Sequence, residues 1–305
     1  MESRILGHKK QIGLLDNAIL KDKVAHAYIF SGPDGVGKKT VAVSFAKSLL
    51  GHPSITPPSV PPSSRIRESE AGHQWEGKSF FHPDFLLIDE EAGIKIEKIR
   101  ELIYKLSLKP YSSKYKVALI DHAENMTIEA SNALLKSLEE PKPNTVIVLT
   151  TQSPEHLPKT IISRAQKINF GLLPDAELKS LVTGDLSESQ KEMITTVAAG
   201  RPGWVMKITE DKEYLDKLEG YNSFYSILKN SSQIDRLLMA SDVASLETAE
   251  IKSVLSFWLV KLEHDLLRSG GGEIAHRLSL VARARKFIGQ NFNSKLVLSD
   301  LMLRI

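Results

Sequence analysis

Gly32-Pro-Asp-Gly-Val-Gly-Lys38, followed by Lys39 and Thr40, is the stretch on which the reading of this chain turns. Gly32, four residues, Gly37 and Lys38 match a phosphate-binding loop. In such a loop the glycines permit a tight turn that aims backbone N–H groups at a β-phosphate, and the lysine reaches the outer phosphates. Pro33, Asp34, Gly35 and Val36 fill the interval. The pattern then asks for a Ser or Thr whose hydroxyl holds Mg²⁺, and this chain has Lys39. Thr40 comes one residue late; on a helix that is a rotation of roughly 100°, which turns its oxygen away from the metal. Lys39 also brings a second positive charge to a place meant for a divalent cation. Residues 27–31 read as a short buried strand entering the loop and residues 40–50 as an apolar helix leaving it. A plain Gly-rich turn is the alternative, and strand, loop and helix in succession weigh against it.

Outward from the loop, segments of strand-like and helix-like character alternate to about Phe170, the pattern of an α/β domain with a mainly parallel sheet. The candidate strands are residues 27–30, 85–88, 116–120, 145–150 and 166–170. Residues 52–79 interrupt the pattern with five prolines between Pro53 and Pro62 and little apolar content, and are expected to be a poorly ordered surface insertion. His73 and His82, in or beside it, make a weak metal pair and are expected to be solvated. Beyond Phe170 only helices are expected. Ser187-Glu-Ser-Gln190 has the form of a capping box for a helix ending at Gly200, with Arg201-Pro-Gly203 opening the next. Ile251, Val254, Leu255, Trp258, Leu259, Leu262 and Leu266 form one apolar stripe; Leu278, Val281, Ala284, Phe287 and Ile288 form another, beyond Gly270-Gly-Gly272.

The chain of 305 residues has room for two or three domains, and its 40 basic against 37 acidic residues give no clustered excess of the kind a nucleic-acid-coating protein carries. Without cysteine it has no disulfide and no thiolate zinc site. The N-terminus lacks a signal-peptide core and no apolar run is long enough to span a bilayer, so a soluble cytoplasmic protein without membrane association is expected.

Val117-Ala-Leu-Ile-Asp121 is an apolar strand ending in an acid, the position that holds Mg²⁺ in P-loop ATPases, where a neighbouring Glu polarises the attacking water. The neighbour here is His122. Glu124, three positions on and past the strand end, is expected to fall short of a γ-phosphate. Lys39 damages the metal site and His122 removes the base, two losses in the same reaction. Thr150-Thr151-Gln152 ends a strand, and Ser163-Arg164 lies just before another. An arginine at the edge of an ATPase domain can reach a neighbour's γ-phosphate in trans.

His26-Ala-Tyr-Ile-Phe-Ser-Gly-Pro-Asp-Gly-Val-Gly-Lys38, His82-Pro-Asp84, Ile120-Asp-His-Ala-Glu-Asn-Met126, Ala130-Ser-Asn-Ala-Leu-Leu-Lys-Ser-Leu-Glu-Glu-Pro141 and Ser163-Arg164 together resemble the delta-prime subunits of bacterial DNA polymerase III clamp loaders. The likeness is close over residues 1–170 and weaker beyond, where the closing Asn291-Phe-Asn to Leu303 is similar to that family's last helix. It implies a P-loop AAA+ domain over 1–170, a small helical lid over 171–212 and an all-α collar domain over 213–305. The expected partners are ATPase subunits and a delta subunit in a hetero-pentamer, with the sliding clamp and primer-template DNA reached through the complex. Delta-prime would be the rigid stator, a component of the polymerase holoenzyme but not itself an active ATPase. Ser163 and Arg164 match the family's Ser-Arg-Cys motif, with Arg164 the finger inserted into the adjacent ATP site and Ala165 in place of the cysteine. Arg201 falls where AAA+ proteins keep a second phosphate-sensing arginine. The four cysteines common after the P-loop helix are absent, which removes zinc from the expectation. No cofactor is required, although the loop and Lys38 retain donors with which ATP or ADP could bind without turnover. The rival readings are an active AAA+ ATPase, as clamp-loader motor or helicase loader, and a nucleotide-binding interaction module outside replication.

Overall fold

Tyr28, Ile29 and Phe30 point to alternate faces of their strand, and all are buried, which requires apolar cover on both sides of a sheet. The computed structural model describes residues 7–51, 82–90, 93–290 and 292–305. The chain divides into two units, Met1–Gly171 and Leu172–Ile305. The insertion at 52–79, with His73, and Asn291 lie outside the described residues.

In the first unit β1 (Ala27–Ser31), β2 (Phe85–Asp89), β3 (Lys116–Asp121), β4 (Thr145–Thr151) and β5 (Gln166–Asn169) form one sheet in the order β2-β3-β4-β1-β5, every pairing parallel. Alternation along the strands sorts the apolar residues into two layers. Ala27, Ile29, Ala118, Ile120, Ile147 and Leu149 pack with Ile99 and Leu102 of α3 (Ile96–Ser107) and with Ala130 and Leu134 of α4 (Ile128–Glu139). Tyr28, Phe30, Val117, Leu119, Val146 and Val148 pack with Leu15 of α1 (Lys9–Leu20) and with Val41, Phe45 and Ala46 of α2 (Lys38–Leu49). A single-turn α5 (Lys159–Ile162) buries Ile161 in the first layer. The helix after the loop begins at Lys38, two residues earlier than the sequence pattern suggested, because Gly37 adopts φ 94° as its N-cap. Lys38 and Lys39 are therefore both first-turn residues.

His82 is not a solvated histidine. Its Nδ1 accepts the Asp84 backbone N–H at 3.1 Å and its Nε2 lies 3.2 Å from Ser113 Oγ. Asp84 is fully buried, and its carboxylate accepts the backbone N–H groups of Tyr111 (2.6 Å), Ser112 (2.9 Å) and Ser113 (3.1 Å). Burial alone would raise this carboxyl's pKa; the three N–H donors outweigh it and hold the value below the usual range. The His-Pro-Asp stretch thus fastens the turn that feeds β3.

The second unit is helical over its described residues: α6 (Asp175–Lys179), α7 (Glu188–Ala198), α8 (Pro202–Glu210), α9 (Lys212–Asn230), α10 (Gln233–Ala244), α11 (Thr248–Ser269), α12 (Gly272–Gly289) and α13 (Ser294–Arg304). The Ser187–Gln190 capping box is formed, with Gln190 N donating to Ser187 Oγ and Ser187 N to Gln190 Oε1. Trp258, fully buried on the α11 stripe, stacks on Phe224 of α9 at 5.7 Å. One apolar cluster runs from Leu173 to Met302 and crosses residue 213 without a break. Among the described residues no helix is long and apolar enough to cross a membrane.

Candidate phosphate-loop site and exposed arginine

The loop between β1 and α2 opens at the carboxyl ends of the parallel strands, where open α/β sheets place their ligands. Gly32 is compulsory there: a Cβ on it would stand 2.0 Å from the Phe170 carbonyl oxygen. Val36 is buried, and its carbonyl lies 2.8 Å from His8 Nε2. The His8 ring also meets Phe170 edge-on at 5.0 Å. No sequence pattern marks His8, whose left-handed backbone (φ 54°) turns it onto the loop just before α1.

Lys38 is buried, and its ammonium donates to the carbonyls of Gly32 (2.8 Å) and Pro33 (2.7 Å). Burial lowers its pKa; the negative charges of Asp34, Asp121 and Glu124 oppose that shift without cancelling it. Thr40 is exposed. Lys39 takes a different course from both: its Nζ sits 2.5 Å from Asp89 Oδ2 and 3.0 Å from Asp121 Oδ2. Asp89 and Asp121 end adjacent parallel strands as register partners, so the sheet itself sets the carboxylates side by side. The Thr150 hydroxyl donates to Asp121 Oδ1 and accepts the His122 N–H. Asp121 is 5 % exposed. Desolvation pushes its pKa up, but the Thr150 hydrogen bond and the Lys39 charge prevail and hold it below the usual carboxylate range.

Two residues join this site that the sequence pattern did not assign to it. Asp89 was hidden because its role depends on strand register, although both strands end in the same Leu-Ile-Asp. Glu124 follows the strand end, but a single 3-10 turn over Ala123–Asn125 brings its carboxylate back, where Oε1 accepts the Gln152 N–H at 3.2 Å and lies 3.6 Å from His122 Nδ1. Among the described residues no group of three or more His, Asp or Glu side chains is arranged to hold a metal.

Arg164 and Ser163 follow α5 at the surface. The Arg164 guanidinium pairs with Glu139 Oε1 at 2.9 Å and donates to the Thr160 carbonyl at 3.0 Å and Ser163 Oγ at 3.3 Å. Arg164 and Glu139 are 35 % and 48 % exposed, so this pair lies in contact with solvent. Arg201 belongs to the second unit, at the N-cap of α8, with Nη1 3.5 Å from the Ala199 carbonyl.

A buried strand, a glycine loop, a helix and, one strand removed, an acid-tipped strand on a parallel five-stranded sheet define a P-loop domain of the AAA+ class. Over residues 7–173 the chain matches the family model described as DNA polymerase III, delta subunit, and it belongs to that family of clamp-loader subunits. The delta' subunit of DNA polymerase III from Bacillus subtilis is 28 % identical over 318 residues, covering 96 % of this chain and 94 % of that one. The tau subunit from the same organism is 35 % identical over 167 residues, or 54 % of this chain, which spans only 28 % of that longer relative. A DNA polymerase III gamma-subunit-related protein from Thermotoga maritima shares the fold, with a TM-score of 0.50 at 20 % identity over 96 % of this chain and 97 % of that structure.

Proposed function

We propose that this chain is a non-hydrolysing stator subunit of the DNA polymerase III clamp loader, which supports ATP-dependent loading of the sliding clamp onto primed DNA by lending Arg164 to a neighbouring ATPase subunit. The observation that carries the reading is the pairing of Lys39 with Asp89 and Asp121. The acid that P-loop ATPases devote to the metal is engaged by a side-chain ammonium, and the residue after it is His122 in place of the glutamate that polarises the attacking water. Without a bound metal and an oriented water, a loop that holds phosphate has no route to hydrolysis at a useful rate. ATP or ADP could still be held by the loop N–H groups and Lys38, with Arg201 as a second phosphate-sensing charge.

Arg164 supports the active half of the proposal. A guanidinium presents a planar fork of donors suited to phosphate oxygens, and this one is tethered by a single exposed carboxylate. Exposed ion pairs of this kind are worth about 1 kcal/mol or less, so exchanging Glu139 for a partner's γ-phosphate costs little. In the assembly Arg164 would neutralise charge spreading over the transferred phosphoryl group, and Ser163 Oγ would help to orient it. Partners would be the ATPase and delta subunits of a hetero-pentamer, with the clamp and DNA met through the complex, and the helical lid at 171–212 and collar at 213–305 would serve assembly.

The similarity to tau, higher in identity than that to delta', favours a second reading in which the chain is itself an active AAA+ ATPase. Hydrolysis assays separate the two. The isolated chain is expected to show none above background, and the complex carrying Arg164→Ala is expected to lose about 10³-fold at the served site. Turnover by the isolated chain would overturn the stator reading, and an unchanged rate in the mutant complex would overturn the trans arginine.

A further inference from the structure

The AAA+ fold implies a Mg²⁺ ion between the P-loop hydroxyl and the acid that ends β3, and the residues here do not fit it. Mg²⁺ requires oxygen ligands at about 2.0–2.1 Å in near-octahedral array. The oxygens that would face it, Asp89 Oδ2 and Asp121 Oδ2, are already spanned by the Lys39 ammonium at 2.5 and 3.0 Å. The other Asp121 oxygen takes the Thr150 hydroxyl. A dication touching both Oδ2 atoms would share the ammonium's space and be repelled by it.

We infer that Lys39 is the resident cation of this site, an intramolecular replacement for the divalent metal that leaves the phosphate loop closed to Mg²⁺ with or without nucleotide. The sheet makes a cation necessary. Register pairing sets Asp89 and Asp121 side by side, and like charges on directly paired residues destabilise a sheet unless they are countered. In a metal-dependent P-loop protein that counter-charge arrives with the ligand. Here it is covalently attached one residue after Lys38, on the first turn of α2, and so it is present at all times. Lys38 is held by the Gly32 and Pro33 carbonyls, and Lys39 by the Asp89 and Asp121 carboxylates. Any phosphate ligand taken by the loop enters metal-free.

The inference deepens the non-hydrolysing reading of the same site, but it concerns metal affinity and stands or falls apart from the role of Arg164. The test is titration of the full chain with Mn²⁺, with and without ADP, followed by the loss of the free-ion electron paramagnetic resonance signal. Wild type, Lys39→Thr, Asp121→Asn and the double variant Lys39→Thr/Asp121→Asn are compared, each checked for folding by circular dichroism. Wild type is expected to give no site that Asp121→Asn abolishes. Lys39→Thr supplies the hydroxyl the loop lacks and frees both carboxylates, and is expected to gain one Mn²⁺ site at least about tenfold tighter than any in wild type, lost again in the double variant. A wild-type site abolished by Asp121→Asn would overturn the inference, as would a folded Lys39→Thr chain that gains no site. If Lys39→Thr does not fold, the wild-type and Asp121→Asn titrations decide it alone.

Discussion

The first unit holds its cations in two opposite ways. At the phosphate loop both lysines are closed on internal partners, Lys38 on two carbonyls and Lys39 on two carboxylates, around an Asp121 that is 5 % exposed. At the surface after α5, Arg164 rests on one half-exposed glutamate and two weaker oxygens. A closed network stabilises the unit and has nothing to offer a partner, whereas a loosely tethered guanidinium adds little stability and can be transferred. On the proposed stator reading, that difference would give structure to the site that looks catalytic and chemistry to the one that looks like surface.

The largest expected effect breaks the comparison on its exposed side. Arg164→Ala should cost the assembled complex about 10³-fold in ATP turnover at the served site, while the melting temperature of the isolated chain stays within about 2 °C of wild type because an exposed ion pair contributes little. Arg164→Lys should recover only part of the rate, since a point charge does not reproduce the planar fork. A large loss of stability in either variant would mean that the arginine is structural after all.

The closed side predicts the reverse pattern. Lys39→Met leaves two adjacent carboxylates uncompensated, and removal of one partner from a buried ion pair costs 3–5 kcal/mol. Asp89 is about a quarter exposed, so the lower end, about 3 kcal/mol, is expected by urea unfolding. Part of that loss should return on acidification, as protonation of Asp121, whose pKa the Lys39 charge helps to hold down in wild type, relieves the repulsion. Turnover in a complex that still assembles should be unaffected.

How this contrast was and was not visible in the sequence follows from distance along the chain. The loop, the acid-tipped strand and the Ser-Arg pair are local patterns that can be read in the sequence itself, and the strands fell within a residue or two of where alternation put them. What Lys39 does is not local. It requires Asp89 to be register-matched with Asp121 across strands separated by α3, and no periodicity in a single strand carries register. The contacts of Glu124 with Gln152 and His122 were hidden for a related reason, because a strand end says nothing about the 3-10 turn that folds the next residues back. His82 looked solvated beside a polar insertion, yet one of its partners, Ser113, lies beyond the far end of α3, 31 residues along the chain.

Asp84 extends the closed pattern to the opposite end of the sheet. Its carboxylate replaces water with three backbone donors, and hydrogen bonds to a charged group are worth about 1.5–3 kcal/mol. Asp84→Asn should therefore destabilise the unit by about 2 kcal/mol. The folded pKa lies below the unfolded value, so this stability is fully present above the ordinary carboxylate pKa of about 4 and is lost as pH falls from there through the folded value. The difference in unfolding free energy between wild type and variant should accordingly be constant from pH 8 to about pH 5 and shrink below about pH 4. A constant difference down to pH 2 would mean that Asp84 stabilises the unit independently of its ionisation.

The smallest expected effect is the sharpest discriminator. Glu139→Gln removes the only carboxylate paired with Arg164 among the described contacts and should change stability by less than about 1 kcal/mol, since both partners are exposed. If Arg164 is held in reserve for a partner's phosphate, loosening its tether leaves turnover in the complex unchanged or slightly raised. If instead Glu139 sets the direction in which the guanidinium projects, turnover falls while assembly and stability hold. Measuring the rate beside an unfolding curve separates a tether that merely stores the arginine from one that aims it, and only an aiming tether would make the exposed site as closely built as the phosphate loop.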